Sequence, residues 1–170
     1  MTNPHRTINL HHLAEQAVTG AIGRGLTVAT AESLTAGMVA AVLADTPGAS
    51  GMLQGGVVSY QNSVKADVLG VPRELLDSVG AVDGKVAEAM AEGARRICGA
   101  DVGVSTTGVA GPEPHGGKDV GAVYIGVATA AGATSFGYSF EGNRPEIRGQ
   151  ACAAALERLL EALAPQGYRA

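Results

Sequence analysis

Four short stretches of the 170-residue chain gather side chains that could do chemistry. The first is "AESLTAG", where Ser33 ends an apolar, strand-like run and opens a run of small residues with helical spacing. Ser is a preferred helix N-cap, and capping alone would account for it. The same place also suits a nucleophile. The free N–H groups of a first helical turn, here those of Thr35 and Ala36, can stabilise an oxyanion, aided by the helix dipole. A strand-to-helix turn is where α/β hydrolases carry their Ser, although the G-x-S-x-G pattern is missing here. A Ser hydroxyl also needs a base. Of the four His, His5, His11 and His12 fall in or beside the N-terminal tail and His115 falls in a loop, so surface positions are expected for all four.

The second stretch, "SYQNSVKADVLG", offers Lys65 instead. With Asn62 as cap, Lys65 falls on the first turn of a short helix, where the macrodipole disfavours a cation by ~0.3–1 kcal/mol. Either Lys65 is an exposed side chain tolerating that cost, or its pKa is depressed and it serves as a base. Tyr60, ending the preceding strand, could lie beside it and relay or position a proton. The third stretch, "STTGVAGPEPHGGK", is a strand followed by a loop whose glycines, Gly108 and Gly111 among them, permit close approach to a ligand. It fits neither the P-loop nor G-x-G-x-x-G, and a long turn is the plain alternative. In the fourth, "FEGNRPEIRGQ", Arg144 and Arg148 lie four apart on one face of a helix start. Two Arg beside free N–H groups form an anion site, most naturally for phosphate. The alternative is two surface Arg balanced by Glu141 and Glu146.

Elements that would position these residues follow from periodicity. Helical spacing covers 9–23, 33–44, 84–98 and the closing segment from Arg144 to Leu163, with Pro145 near its first turn and short helices after Asn62 and within 71–82. Strands are read at "LTVAT", "LQGGVVSY", "ADVGVSTTG", "VGAVYIGVATA" and "TSFGYSF", the last two as a hairpin about "AGA". Helix–strand alternation over the first two thirds predicts a three-layer α/β/α sandwich. Its sheet is expected to be mixed, mostly parallel and of about five strands. Residues 1–8 read as a polar tail and 9–170 as one domain.

Composition limits the partners. Hydrophobic residues make up 46% and charged residues 16%, which suits a globular chain with one substantial core. Gly is abundant at 25 residues while Trp is absent, so the core must come from small aliphatic side chains at close backbone approaches. A net charge of −4 without a basic run argues against nucleic acid. No run reaches the ~18–20 apolar residues of a membrane span, and the N-terminus lacks the apolar region of a signal peptide. A cytoplasmic location without membrane association is expected. Cys98 and Cys152 lack metal-ligand spacing and read as reduced thiols in helices, so neither a metal nor another cofactor is expected. The Ala-rich 151–163 helix offers a face for self-association, and a homo-oligomer is expected.

Taken in order, the blocks "TVATAESLTAGMVAAVLADTPGASGMLQGGVVSYQNSVKADVLGV", "STTGVAGPEPHGGKDVGAVYIGVA" and "FEGNRPEIRGQA" resemble the C-terminal domain of the CinA (competence/damage-inducible protein) family. That domain also occurs alone, in nicotinamide-nucleotide amidohydrolases. The resemblance covers about residues 10–163 and implies hydrolysis of the carboxamide of nicotinamide mononucleotide to nicotinic acid mononucleotide and ammonia. It puts the family's Ser, Tyr and Lys on Ser33, Tyr60 and Lys65, a second-block hydroxyl on Thr107 and the G-x-R arginine on Arg144. It thereby implies a small phosphate-bearing substrate. The same fold serving as an inactive nucleotide- or protein-binding regulator, or hydrolysing another amide, is the alternative. Leu34, Ala36 and Asp83 depart from the residues frequent in the family, which are Cys, Gly, and Ser or Thr. Longer members carry an N-terminal nucleotide-processing domain that has no counterpart in these 170 residues.

Overall fold

A computed structural model describes residues 9–165; the tail read at 1–8 and the last five residues lie outside the described part. The strands are β1 (Val28–Glu32), β2 (Leu53–Val58), β3 (Val102–Gly108), β4 (Ala122–Thr129) and β5 (Gly132–Ser139). The helices are α1 (Leu10–Gly23), α2 (Met38–Ala44), α3 (Asn62–Asp67), α4 (Arg73–Val79), α5 (Gly84–Cys98) and α6 (Arg144–Leu163). The sheet order is β2-β1-β3-β4-β5. β2, β1 and β3 run parallel, while β4 is antiparallel to both β3 and β5, so β4 alone opposes the other four strands. This is the mixed α/β sandwich expected.

The strand side-chain alternation divides the core in two. Val28 of β1, Val102 and Val104 of β3, and Val123, Ile125 and Val127 of β4 face α1, α2 and α6. Ala29 and Ala31 face the opposite layer, packing with Val86, Met90 and Ala94 of α5. β1 is buried along its whole length, as a central parallel strand covered on both faces must be. The glycines explain how a core poor in aromatics closes up. A Cβ at Gly103 would lie 2.0 Å from the Ala91 carbonyl oxygen, and one at Gly126 would lie 2.2 Å from that of Ala87. α5 therefore rests almost directly on the sheet backbone.

The Ala-rich face of α6 is not free for self-association. Ala151, Ala154 and Ala155 belong to the core, at most 4% exposed, because the 20-residue α6 packs on α1, β3 and β4. Cys98 is half-buried and Cys152 buried, both free thiols within helices. Burial pushes the Cys152 thiol up to about 12, which leaves it inert. Asp83, one of the departures noted above, accepts the Lys85 N–H at 2.7 Å and caps α5 as a Ser or Thr would. No described helix is long and apolar enough to cross a membrane.

Candidate active site

The Ser33 turn differs from the helix start expected of it. α2 begins only at Met38; residues 34–37 form a turn in which Ala36 (φ 51°) and Gly37 (φ 97°) are left-handed. Ser33 therefore does not cap the helix. Its N–H donates to the Thr106 carbonyl at 2.9 Å, and its hydroxyl reaches an adjoining cavity. Glu32 does the capping: its carboxylate accepts the N–H groups of Gly37 (3.0 Å), Val39 (3.0 Å) and Ala40 (2.9 Å). The Thr35 hydroxyl donates to the same carboxylate at 2.7 Å and accepts from Thr106, also at 2.7 Å. A carboxylate only 1% exposed is tolerable because it is so heavily hydrogen-bonded. Sequence reasoning missed Glu32, although the signal was present: an acid inside a buried strand must find donors nearby.

Ala36 stands where a Gly would cost nothing. A left-handed non-Gly residue carries about 1–2 kcal/mol of strain, partly offset by the greater freedom Gly has when unfolded. Ala36→Gly is expected to raise stability by about 0.5–1 kcal/mol, seen in thermal melting as a rise of about 2 °C. A fall in the midpoint would refute the strain assigned to this turn.

The expected oxyanion donors move by one residue. The Ala36 N–H is already used, donating to the Ser33 carbonyl at 3.1 Å. Among the described residues the N–H groups of Leu34 and Thr35 have no hydrogen-bond partner, and Leu34 lines the cavity. Ala36 is thus not a free donor, and of the two residues with an unpartnered N–H only Leu34 lines the cavity, Thr35 being fully buried beside it.

Lys65 is buried, 1% exposed. It lies in the last turn of the six-residue α3, whose N-cap is Gln61 rather than Asn62. The macrodipole therefore does not disfavour it, and burial is what perturbs it. Its Nζ donates to the carbonyls of Ser59 (2.8 Å) and Tyr60 (3.3 Å) and to Ser33 Oγ (3.0 Å). Among the described residues no carboxylate pairs with Nζ, and desolvation lowers the Lys65 pKa to about 8.

A cavity of about 560 Å³ opens beside Ser33 and Lys65. Tyr60, Thr107, Gly108, Gly111 and Arg144 all line it. The Thr107 hydroxyl donates to the Ala81 carbonyl at 2.7 Å and so ties β3 to the loop before α5. Arg144 braces the mouth, donating to the Gly111 carbonyl and to the Tyr60 hydroxyl, each at 2.6 Å. Tyr60 thus meets Lys65 through its carbonyl, while its phenol meets Arg144. Gln61, Asn62, Glu113 and His115 also line the cavity; His115 is exposed, as expected, on the loop at its rim.

Arg148 is the exception. It lines no part of the cavity. Its guanidinium lies under the Ser33 turn, with Nε donating to the Leu34 carbonyl at 2.8 Å and a terminal nitrogen to that of Thr35 at 3.0 Å. The expected phosphate contact from Arg148 is therefore not formed by this geometry. Glu146 does not balance either Arg: its carboxylate accepts the Asn143 N–H at 2.7 Å in a capping box, with Pro145 in the first turn. Among the described residues no group of three or more His, Cys, Asp or Glu side chains could hold a metal ion.

Comparison with known proteins gives this site a family context. A family model described as the CinA C-terminal domain matches residues 10–163. A CinA-like protein of Frankia casuarinae is 46% identical over 143 residues, covering 84% of this chain and 33% of that protein. The chain spans about a third of the length of the curated relatives that match it first. Solved structures match over nearly their whole length. The competence/damage-inducible protein CihA from Agrobacterium tumefaciens is 35% identical with a TM-score of 0.86, over 96% of this chain and 98% of that one. A CinA superfamily protein from Klebsiella pneumoniae is 30% identical with a TM-score of 0.88, over 91% and 98%.

Proposed function

The chain belongs to the CinA C-terminal domain family, and on that premise we propose that it is an amidohydrolase. It removes ammonia from the carboxamide of nicotinamide mononucleotide through Ser33, with neutral Lys65 as base. One observation carries the reading: Lys65 Nζ has three partners, two of them carbonyls, the third Ser33 Oγ. A carbonyl only accepts. A neutral amine keeps two N–H donors, which the carbonyls of Ser59 and Tyr60 engage. Its lone pair is then left for the Ser33 hydroxyl proton. Burial makes this neutral form accessible near pH 8.

The reaction proceeds in two halves. The Ser33 proton passes to Lys65 Nζ as Oγ attacks the carboxamide carbon, and the oxyanion is met by the N–H groups of Leu34 and Thr35. The tetrahedral intermediate collapses, the C–N bond breaks, and Lys65 returns the proton to the leaving nitrogen, which departs as ammonia. Water then attacks the ester. Lys65 accepts its proton and passes it back to Ser33 Oγ, leaving the carboxylate product. Arg144, at the mouth, holds the substrate phosphate and so fixes the pyridinium carboxamide over Ser33.

The test is ammonia release from nicotinamide mononucleotide compared with nicotinamide riboside and nicotinamide. Turnover of the nucleotide supports the reading; silence on all three contradicts it. Arg144→Gln is expected to raise KM for the nucleotide by about 10–100-fold, equivalent to the ~1.5–3 kcal/mol of a charge-assisted hydrogen bond. KM for the riboside should hardly move. An equal effect on both substrates would remove the phosphate from Arg144.

A further inference from the structure

Arg148 does not reach the cavity, yet it touches the segment on which the reaction above depends. Three successive peptide planes after Ser33 carry its influence. In a trans peptide, C=O and N–H point in opposite directions. The Leu34 carbonyl is held by Arg148 Nε at 2.8 Å, which turns the Thr35 N–H of the same plane away from α6. The Thr35 carbonyl is held by the guanidinium's other arm at 3.0 Å and by the Met38 N–H at 3.1 Å, which together orient the Ala36 N–H. That N–H donates to the Ser33 carbonyl at 3.1 Å, and the Leu34 N–H of that plane is turned the opposite way. Leu34 and Thr35 hold the two unpartnered N–H groups of the turn among the described residues. The guanidinium therefore bears on both, directly through the Leu34 carbonyl for Thr35 and, together with the Met38 N–H, through the Thr35 carbonyl for Leu34. On the other side, the Glu32 carboxylate holds Gly37, Val39 and Ala40, so the turn is clamped at both ends.

We propose that Arg148 is a positioning residue that sets the oxyanion donors of Leu34 and Thr35 and does not bind the substrate phosphate. The proposal rests on the reading of Ser33 as a nucleophile. It also gives the i,i+4 arginine pair two separate tasks: Arg144 faces the ligand, and Arg148 faces the backbone that stabilises charge. Lys cannot reproduce the task, because a guanidinium spans two consecutive carbonyls with a planar fork and an ammonium does not.

The experiment measures phosphonylation of Ser33 by a fluorophosphonate, followed by intact mass and peptide mapping. It does not depend on the natural substrate. In this step the Ser33 Oγ–P bond forms, the P–F bond breaks, fluoride leaves and the hydroxyl proton goes to Lys65. The phosphoryl oxygen occupies the oxyanion position. Wild type, Arg148→Lys and Arg148→Met are compared across pH, with melting curves to confirm folding; if the Met variant does not fold, the Lys variant decides. Both variants are expected to label more slowly, approaching the ~10²-fold loss that follows removal of an oxyanion donor. The inflection of the labelling rate with pH should stay where Lys65 sets it. With nicotinamide mononucleotide, kcat should fall while KM holds. Labelling at the wild-type rate in both variants overturns the proposal alone. A displaced inflection, or a raised KM with unchanged kcat, also overturns it, by showing general disruption or phosphate binding respectively. A wild type that never labels at Ser33 removes the nucleophile reading and this proposal together.

Discussion

Lys65→Met should lower kcat/KM for amide hydrolysis by about 10³–10⁴-fold, the contribution of a well-placed general base. The pH dependence makes this prediction specific. Only neutral Lys65 accepts the Ser33 proton, and its pKa is lowered to about 8 by burial. At pH 7 roughly a tenth of the free enzyme is in the active form, so kcat/KM should rise through pH 8 and then level off. In the Met variant the residual rate should lose that inflection. Stability has a matching signature. The unfolded chain returns Lys65 to 10.5, so between about pH 8 and 10.5 the unfolded state binds more protons than the folded one. Stability attributable to Lys65 therefore rises with pH across that window. The 2.5-unit difference corresponds to about 3 kcal/mol. Below pH 8 both states are protonated and the full cost of the buried charge is present. Denaturant titrations from pH 7 to 10.5 should show this rise in wild type and lack it in the Met variant. A parallel pH dependence in both would place the perturbation elsewhere.

Ser33→Ala should reduce kcat by about 10⁴-fold or more, as loss of a nucleophile does. Substrate binding should survive, because Arg144 and the 108–115 loop are untouched. At a concentration 100 times Kd, nicotinamide mononucleotide should still stabilise the variant by about 2.7 kcal/mol. The turn geometry adds a second expectation. Were Ser33 also the N-cap of α2, its loss would cost about 1 kcal/mol more than the side-chain bond alone. The cap is Glu32, and the side chain of Ser33 contributes one bond, the one its Oγ accepts from Lys65 Nζ at 3.0 Å. The variant should therefore lose only the about 1 kcal/mol of that hydrogen bond. A well-folded variant that retains turnover would contradict the mechanism. A large loss of stability would contradict the turn geometry.

Much of this architecture is legible in the sequence where local signals agree with tertiary demands. α5 occupies the amphipathic stretch read for it, 84–98, bounded by the Asp83 cap and a left-handed Gly99. The hairpin read about "AGA" forms, with its turn one step earlier at Ala130–Ala131: Thr129 pairs with Gly132, and Gly132 and Ala133 already belong to β5. The Ser33 helix start was misplaced because "SLTAGM" has the composition of a first turn. What delays the helix is a pair of left-handed residues and a carboxylate reaching forward from β1, and no periodicity reports either. Lys65 raised the right question by the wrong route. Dipole reasoning predicts an unusual cation, but its perturbation comes from burial, a tertiary fact. For Arg144 and Arg148, i,i+4 spacing correctly gives one helix face. It cannot say that the cavity mouth meets one residue of that face and the underside of a turn meets the other.

The most direct measurement is turnover of nicotinamide mononucleotide in increasing hydroxylamine at pH 8.5, with ammonia and organic product both quantified. An ester on Ser33 can be attacked by water or by hydroxylamine. Wild type should release ammonia while its product shifts from nicotinic acid mononucleotide towards the hydroxamate, and Ser33→Ala should form neither. No ammonia from wild type, or ammonia with acid as the sole product at every hydroxylamine concentration, would contradict a Ser33 acyl-enzyme.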